Sequence, residues 1–238
     1  MTELLCQRDA YLRTFSASVT GSDADGRVAL DRSAFYPTGG GQPHDTGTLR
    51  WRGGEATVTA VAKEGGEVWH RLEGDAPPAG TEVEGEIDWD RRYTLMRTHT
   101  ALHVLCGVIW NRWGKAVTGG NMEPGSARMD FEFDPLPDGF GPAVEELVNA
   151  ELAQGRPVEV AFLPRSEAVL DDALIRTKIN LVPESVAEIR VVDIVGLDKQ
   201  ADGGTHVANT AEVGRIRVVK TESKGKAFKR IRIEVLDA

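Results

Sequence analysis

Asp88-Trp-Asp-Arg-Arg-Tyr-Thr-Leu-Met-Arg-Thr-His99-Thr-Ala-Leu-His103-Val-Leu-Cys106-Gly-Val-Ile-Trp110-Asn-Arg-Trp113-Gly114 is where the character of the chain changes. From Trp89 to Trp113 it contains no proline and no run of β-branched residues. Leu95, His99, Leu102, His103, Cys106, Trp110 and Trp113 recur at the spacing of one helical face, and Gly114 supplies a stop. A single long helix is expected here, with the one Gly107 tolerated. His99 and His103 fall within its apolar stripe, so both imidazoles point inward.

Ahead of this helix the sequence reads as all-β. Short alternating or β-branched runs at 15–19, 48–51, 56–62, 67–72 and 81–87 are separated by Gly, Asp and Pro turns. Behind it, strands are expected at 127–133, 157–163, 188–195, 215–221 and 228–235. Helices are expected at 143–154, ended by Gly155, and at 165–174. Helices and strands without strict alternation give an α+β class. The expected organisation is a small β-barrel domain, 1–87, packed on a mixed α/β domain, 88–238, because the Gly- and Pro-bearing stretch from Gly74 to Gly80 reads as a turn rather than a flexible linker.

Composition limits the classes of function. The 238 residues are 41% hydrophobic and 27% charged, ordinary for a globular protein with a full core. No stretch approaches the length of a membrane span, and the first fifteen residues lack the apolar run of a secretory signal. Two cysteines, Cys6 and Cys106, make no disulfide framework, and a cytoplasmic protein with reduced thiols is expected. A net charge of −9 argues against indiscriminate nucleic-acid binding. Yet between Arg215 and Arg232 eight basic residues face the single acid Glu222. Such a strip is either a phosphate-contacting surface or a solvated strand face that blunts a sheet edge.

The histidine pair at i, i+4 has an echo about a hundred residues later. Asp202-Gly-Gly-Thr-His206 places two more donors four residues apart on a glycine-rich turn. A lone inward histidine is ordinarily a satisfied core residue. Two on one stripe, joined by Asp202 and His206, give three nitrogens and an oxygen that suit a tetrahedral Zn2+ site. His99, His103, Asp202 and His206 are therefore the expected metal ligands, with one zinc ion per chain. Thr100 stands where a zincin-type protease would carry the glutamate of HExxH, and Ala101 offers no carboxylate either, so that class is disfavoured.

Phe35-Tyr-Pro-Thr38-Gly39-Gly40-Gly41-Gln42-Pro-His44-Asp45-Thr-Gly47 is the second informative segment. Three successive glycines suit a loop whose N–H groups face an anion or a carbonyl; a mere tight turn is the alternative, but Thr38, Gln42, His44 and Asp45 flank it with unusually many polar groups. No Gly-Lys-Ser/Thr follows, which excludes a P-loop. His44 is expected to hydrogen-bond rather than to bind metal.

Taken together, Arg97-Thr-His-Thr-Ala-Leu-His-Val-Leu105, Gln200-Ala-Asp-Gly-Gly-Thr-His-Val207 and Phe35-Tyr-Pro-Thr-Gly-Gly-Gly-Gln-Pro43 resemble the alanyl-tRNA synthetase editing domain and its freestanding relatives, the AlaX family, of the medium-length type. The resemblance spans most of the chain. It implies the alanyl-/threonyl-tRNA synthetase editing fold and a trans-acting deacylase that hydrolyses mischarged Ser-tRNA(Ala), with Gly-tRNA(Ala) as a second candidate substrate. The partner implied is tRNA(Ala), with no membrane and no DNA. The family's ligands carry over to His99, His103 and His206, while Asp202 stands where the family usually has Cys. Oxygen is a harder donor than thiolate, so zinc affinity is expected to be lower and another divalent metal becomes an alternative. Thr38, Gly39, Gly40, Gly41 and Gln42 are expected to serve the reaction. Thr118 is expected to meet the serine hydroxyl, and Lys224, Lys226 and Arg230 the acceptor-stem phosphates. Two other readings stay open: a metal-dependent hydrolase of another small ester or amide, and a non-catalytic tRNA-binding relative.

Overall fold

The computed structural model describes residues 1–168, 188–223, 225 and 228–236. The chain divides into two compact units, Met1–Thr94 and Leu95–Ala238. The division falls inside helix α1, Trp89–Trp113, whereas the sequence pattern changes at Asp88. Both ends of α1 are fixed locally. The Asp88 carboxylate accepts the Arg91 N–H as an N-cap, and Gly114, at φ 64°, closes the last turn in the left-handed conformation.

The first unit is a closed barrel. Its strands are β2 (Thr14–Ser22), β3 (Val28–Leu30), β5 (Gly47–Trp51), β6 (Gly54–Glu64), β7 (Glu67–Glu73) and β8 (Glu82–Ile87), in the spatial order β2-β3-β7-β6-β5-β8. Beside it, β1 (Glu3–Leu4) pairs in parallel with β4 (Arg32–Ser33). Strict alternation drives β8, where Val83, Gly85 and Ile87 face in and the three glutamates between them face out. The interior is filled by Phe15, Val19, Leu30, Phe35, Leu49, Val58, Val61 and Val68. A barrel this narrow leaves no depth for a side chain at Gly85. A Cβ there would lie 2.2 Å from the Phe15 ring, so the aromatic covers the glycine opposite it. Register shifts at Val19/Gly21 and Val58/Ala60 are bulges that bend the long strands round the closure.

One buried ion pair ties the unit together internally. Arg92 is fully buried; its Nε lies 3.0 Å from each Asp45 oxygen, its Nη2 also reaches that carboxylate, and Nη1 donates to the Ala10 carbonyl. Asp45 also accepts the Tyr36 N–H at 2.6 Å.

In the second unit a four-stranded sheet runs β14-β15-β10-β9, from β9 (Val117–Glu123), β10 (Ser126–Glu132), β14 (Arg215–Ser223) and β15 (Phe228–Leu236). A three-stranded sheet runs β11 (Val158–Pro164), β12 (Glu188–Ile194), β13 (Asp198–Ala201). Helix α2 (Phe140–Leu152) buries Phe140, Val144, Val148 and Leu152, one stripe at four-residue spacing. Its Asn149 accepts the Ile216 N–H and donates to the Ile216 carbonyl, and Glu145 accepts the Val218 N–H, so side chains of α2 satisfy the outer edge of β14. The short helix α3 is described over Arg165–Ala168; the remainder of the expected 165–174 helix lies outside the described residues. The architecture is α+β, as expected, although β1, β3, β4, β9 and β13 were not anticipated from the sequence.

Candidate metal centre

Helix α1 and the turn after β13 bring the expected ligands together. One donor atom from each of His99, His103, Asp202 and His206 lies within 4.8 Å of the others, and the three histidine rings pack at centroid distances of 4.3–5.1 Å. His206 Nε2 is 3.0 Å from Asp202 Oδ2, and His99 Nε2 is 3.7 Å from Oδ1. The i, i+4 spacing on the helix puts His99 and His103 side by side. The second pair owes its geometry to an Asx turn, in which Asp202 Oδ2 accepts the Gly204 N–H at 2.7 Å and tightens the backbone ahead of His206.

The turn is held by its main chain as well. The Asp202 N–H donates to the Arg190 carbonyl at 3.1 Å, and Arg190 returns a bond from Nη1 to the Asp202 carbonyl at 2.8 Å. Downstream, Asn209 caps a 3-10 turn at Thr210–Val213 in a reciprocal box with Glu212 and donates to the Gly155 carbonyl.

Behind these four residues stands a second layer, with Asp198 and Gln200 at its centre. The rear nitrogen of His103, Nδ1, meets Asp198 Oδ2 at 3.0 Å, and Gln200 Nε2 donates to the same oxygen at 2.7 Å and to Cys106 Sγ at 3.3 Å. Cys106, on the apolar stripe of the helix, is buried and takes this amide contact. The rear nitrogen of His206 meets Thr100 Oγ1 at 3.2 Å, which also accepts the Val207 N–H. The close approach of Asp198 depends on Gly107, where a Cβ would lie 2.9 Å from Leu197 Cγ and 3.1 Å from Asp198 Cβ. One signal for this layer was present in the sequence. Asp198, Gln200 and Asp202 recur every second residue, and in β13 that period places Asp198 and Gln200 on the buried face.

The electrostatics fit a cation. Burial pushes His206 down to about 4, against the pull of Asp202, and burial together with the neighbouring His206 and His103 holds His99 well below the ordinary histidine value. Burial would also lower His103, but the hydrogen bond and charge of Asp198 outweigh it and raise that ring. Burial alone would raise Asp202; the surrounding imidazoles, His99 first, keep it well below the usual carboxylate range. The set thus offers unprotonated imidazole donors at His99 and His206 and an ionised carboxylate, with Nδ1 of His103 and His206 engaged from behind and Nε2 facing the group. That is the donor chemistry of a divalent nitrogen-and-oxygen site.

Similarity to known proteins bears on which family built this site. The model for threonyl and alanyl tRNA synthetase second additional domains matches residues 189–232, which include Asp202 and His206, and the model for class II (A) tRNA synthetases matches residues 10–91. The chain is 37% identical over its full length to an alanyl-tRNA editing protein AlaX-M of Methanosarcina barkeri, also covered in full, and 38% identical to that of Methanosarcina acetivorans. This chain belongs to the AlaX family. An alanine–tRNA ligase of Pyrobaculum neutrophilum is 42% identical over 93% of this chain, which spans a quarter of that longer protein. Both AlaX-M relatives match the present chain from barrel to last sheet, so both units are part of the AlaX similarity.

The remaining expected residues of this AlaX chain fall elsewhere. In the barrel unit, Gly39 and Gln42 exchange backbone hydrogen bonds of 3.1 and 2.9 Å around Gly40 and Gly41, at φ 57° and 85°. Positive φ at both central positions makes this a type I′ turn, the shape that Gly-Gly favours. The Thr38 N–H donates to the Val61 carbonyl, and the buried Gln42 closes the turn. Among the described residues, Gly40 and Gly41 are the two members of the loop whose N–H groups take no part in this pattern. His44 makes a hydrogen bond between Nδ1 and the Asp45 carbonyl. Thr118 lies half-buried on β9, beside the register shift between β9 and β10. Arg230 makes a two-pronged pair with Asp130 at 2.6 and 2.7 Å, while Arg217 pairs with Glu234 and Arg232 with Glu222. Much of the basic strip is therefore matched by acids on neighbouring strands. Lys224 and Lys226 lie outside the described residues. Among the described residues no helix is long and apolar enough to cross a membrane.

Proposed function

We propose that this chain is a trans-editing aminoacyl-tRNA deacylase that hydrolyses mischarged Ser-tRNA(Ala), with Gly-tRNA(Ala) as a second substrate. The observation that carries the reading is the convergence of His99, His103, Asp202 and His206 in a chain of the AlaX family. Relatives named as alanyl-tRNA editing proteins support the substrate class.

The bond to be cut is an ester between an amino acid and the terminal ribose. Water must attack its carbonyl through an oxyanion. His99, His103, Asp202 and His206 would hold one zinc ion, which supplies Lewis acidity and orients substrate when bound. Asp202 contributes a negative charge to the donor set, and Gly204 fixes its rotamer. The neutral state of His99 and His206 keeps their lone pairs free for coordination near pH 7.

Substrate contacts are proposed within each unit. In the barrel unit the amides of Gly40 and Gly41 are the candidate donors of the Thr38–Gln42 loop. In the second unit the Thr118 hydroxyl would partner the serine hydroxyl. A pocket sized for alanine rejects serine and glycine imperfectly, and editing supplies a second selection that can reward the hydroxyl. Lys224, Lys226 and Arg230 would meet phosphates, Arg230 with its charge shared by Asp130.

The test is deacylation of Ser-tRNA(Ala), Gly-tRNA(Ala) and Ala-tRNA(Ala) by metal-quantified protein, with Asp202→Ala and Asp202→Cys alongside. Rapid loss of the serine ester, reduced at least about 100-fold in the Ala variant and retained in the Cys variant, is expected. No hydrolysis of any of the three by metal-loaded protein would overturn the reading. In the same assay Thr118→Val should erode the preference for Ser-tRNA(Ala) over Ala-tRNA(Ala) by about 10-fold, the worth of one hydrogen bond to substrate. Unchanged selectivity would remove Thr118 from the substrate contacts.

A further inference from the structure

We propose that Asp198 is a positioning residue for the metal centre: it holds His103 with the proton on Nδ1 and the Nε2 lone pair directed at the ion, and Gln200 holds Asp198 in turn. The inference rests on the metal-dependent reading above and extends it from the ligands to the residues behind them.

Asp198 does not belong to the ligand group; it meets the far nitrogen of the ring, His103 Nδ1, at 3.0 Å. An ionised carboxylate only accepts hydrogen bonds, so the shared proton must sit on Nδ1. The neutral ring then has one lone pair left, on Nε2. Thr100 behind His206 is different in kind, because a hydroxyl can donate to Nδ1 or accept from it. Its 3.2 Å contact is compatible with either tautomer of His206. Asp198 is compatible with one tautomer of His103.

The carboxylate is itself constrained. Asp198 is 2% exposed, and Gln200 Nε2 donates to Oδ2, the oxygen that faces His103. Gln200 also reaches Cys106 Sγ, one helical turn beyond His103 on α1. The whole arrangement needs β13 to lie unusually close to the helix, and Gly107 provides that space. Glycine inside a helix is unfavourable by about 1 kcal/mol relative to alanine. Its use at the one place where a Cβ would strike both Leu197 and Asp198 indicates that the approach is wanted. A ring locked in its ligating tautomer loses less freedom when it coordinates, and a carboxylate behind it makes Nε2 a stronger donor.

The experiment uses the full-length protein and two independent readouts. Zinc affinity is measured by chelator competition for the wild type, Asp198→Ala and Asp198→Asn. The tautomer of His103 is read from its ring nitrogen shifts by NMR in the metal-free protein. Near-UV circular dichroism reports the fold, and Asp198→Asn keeps the size and an acceptor oxygen should the Ala variant unfold. Asp198→Ala should weaken zinc binding about 10- to 100-fold, with Asp198→Asn intermediate. At a pH alkaline enough to leave the ring neutral, His103 should be a single Nδ1–H species in the wild type and a mixture in Asp198→Ala. Folded variants that bind zinc within about twofold of the wild type, or a His103 that keeps its tautomer without Asp198, would overturn the inference. If the wild type itself takes up no zinc, the metal reading fails, and the nitrogen shifts still decide whether Asp198 governs His103.

Discussion

Asp45 in the barrel unit and Asp202 in the second unit are both carboxylates withdrawn from water, and their surroundings are opposite. Asp45 faces a guanidinium across two short contacts and accepts a backbone N–H besides. Its charge is cancelled on the spot by a partner that is always protonated. Asp202 faces three imidazoles, and its nearest guanidinium atom, Arg190 Nη1, is 3.7 Å from Oδ2. Of these, His99 and His206 are held neutral and cannot cancel a carboxylate, but they can share a cation with it. The same side chain therefore closes a structural joint in one unit and opens a ligand set in the other. What decides between them is the protonation state of the neighbours.

The largest expected effect probes the joint. Arg92→Met strands Asp45 as a buried, unpaired charge and should lower stability in urea by about 3–5 kcal/mol. Asp202→Ala, which removes a charge flanked by the neutral His99 and His206, should cost clearly less while removing zinc binding. Equal losses from the two would break the contrast. The next effect sharpens it with a ring that has no carboxylate at all. His70 in the barrel is buried between Ser33 Oγ and the Val28 carbonyl, and burial pushes it down to about 4. Its folded value lies below the unfolded one near 6.5, so its contribution is complete above pH 6.5 and is lost as pH falls toward 4. Between pH 7 and pH 5 the wild type should lose about 2 kcal/mol from this source, a loss that His70→Gln abolishes. A pH profile unchanged by that substitution would show that His70 does not govern the acid side. The smallest effect concerns the arm that carries Asp202 and His206. Asn209→Ala removes the N-cap downstream of His206 and should cost about 1 kcal/mol in thermal or urea unfolding. A neutral result would mean that the Arg190 bonds, the Asp202–Gly204 turn and the Val207–Thr100 bond hold the arm without this cap.

Much of this was legible in the sequence, for reasons that can be traced to residues. Helix α1 occupies the expected span because Asp88 and Gly114 punctuate it chemically and its apolar stripe is long. The grouping of His99, His103, Asp202 and His206 was legible because each pair is bound by local spacing, i to i+4. Strand β9 was not, since Gly119 and Gly120 carry no side-chain pattern and the strand exists through its pairing with β10. Strand β13, Asp-Lys-Gln-Ala, has no β-branched residue, and its two inward side chains are polar. Asp198 escaped notice for a related reason: its partner His103 is 95 residues away in the chain, and no local rule joins them. The glycine loop forms a tight turn, and that shape rests on the φ values of Gly40 and Gly41, which no side-chain pattern in the sequence announces.

The Arg190 bonds to both backbone groups of residue 202 have a further implication. Neither bond involves the side chain at that position. The main chain there is pinned by a neighbour, so a replacement that still accepts the Gly204 N–H keeps the path that delivers His206. Position 202 is thus a socket into which oxygen or sulfur can be fitted. A lineage could shift its metal preference by a single replacement at this point, while its protein scaffold went on folding as before.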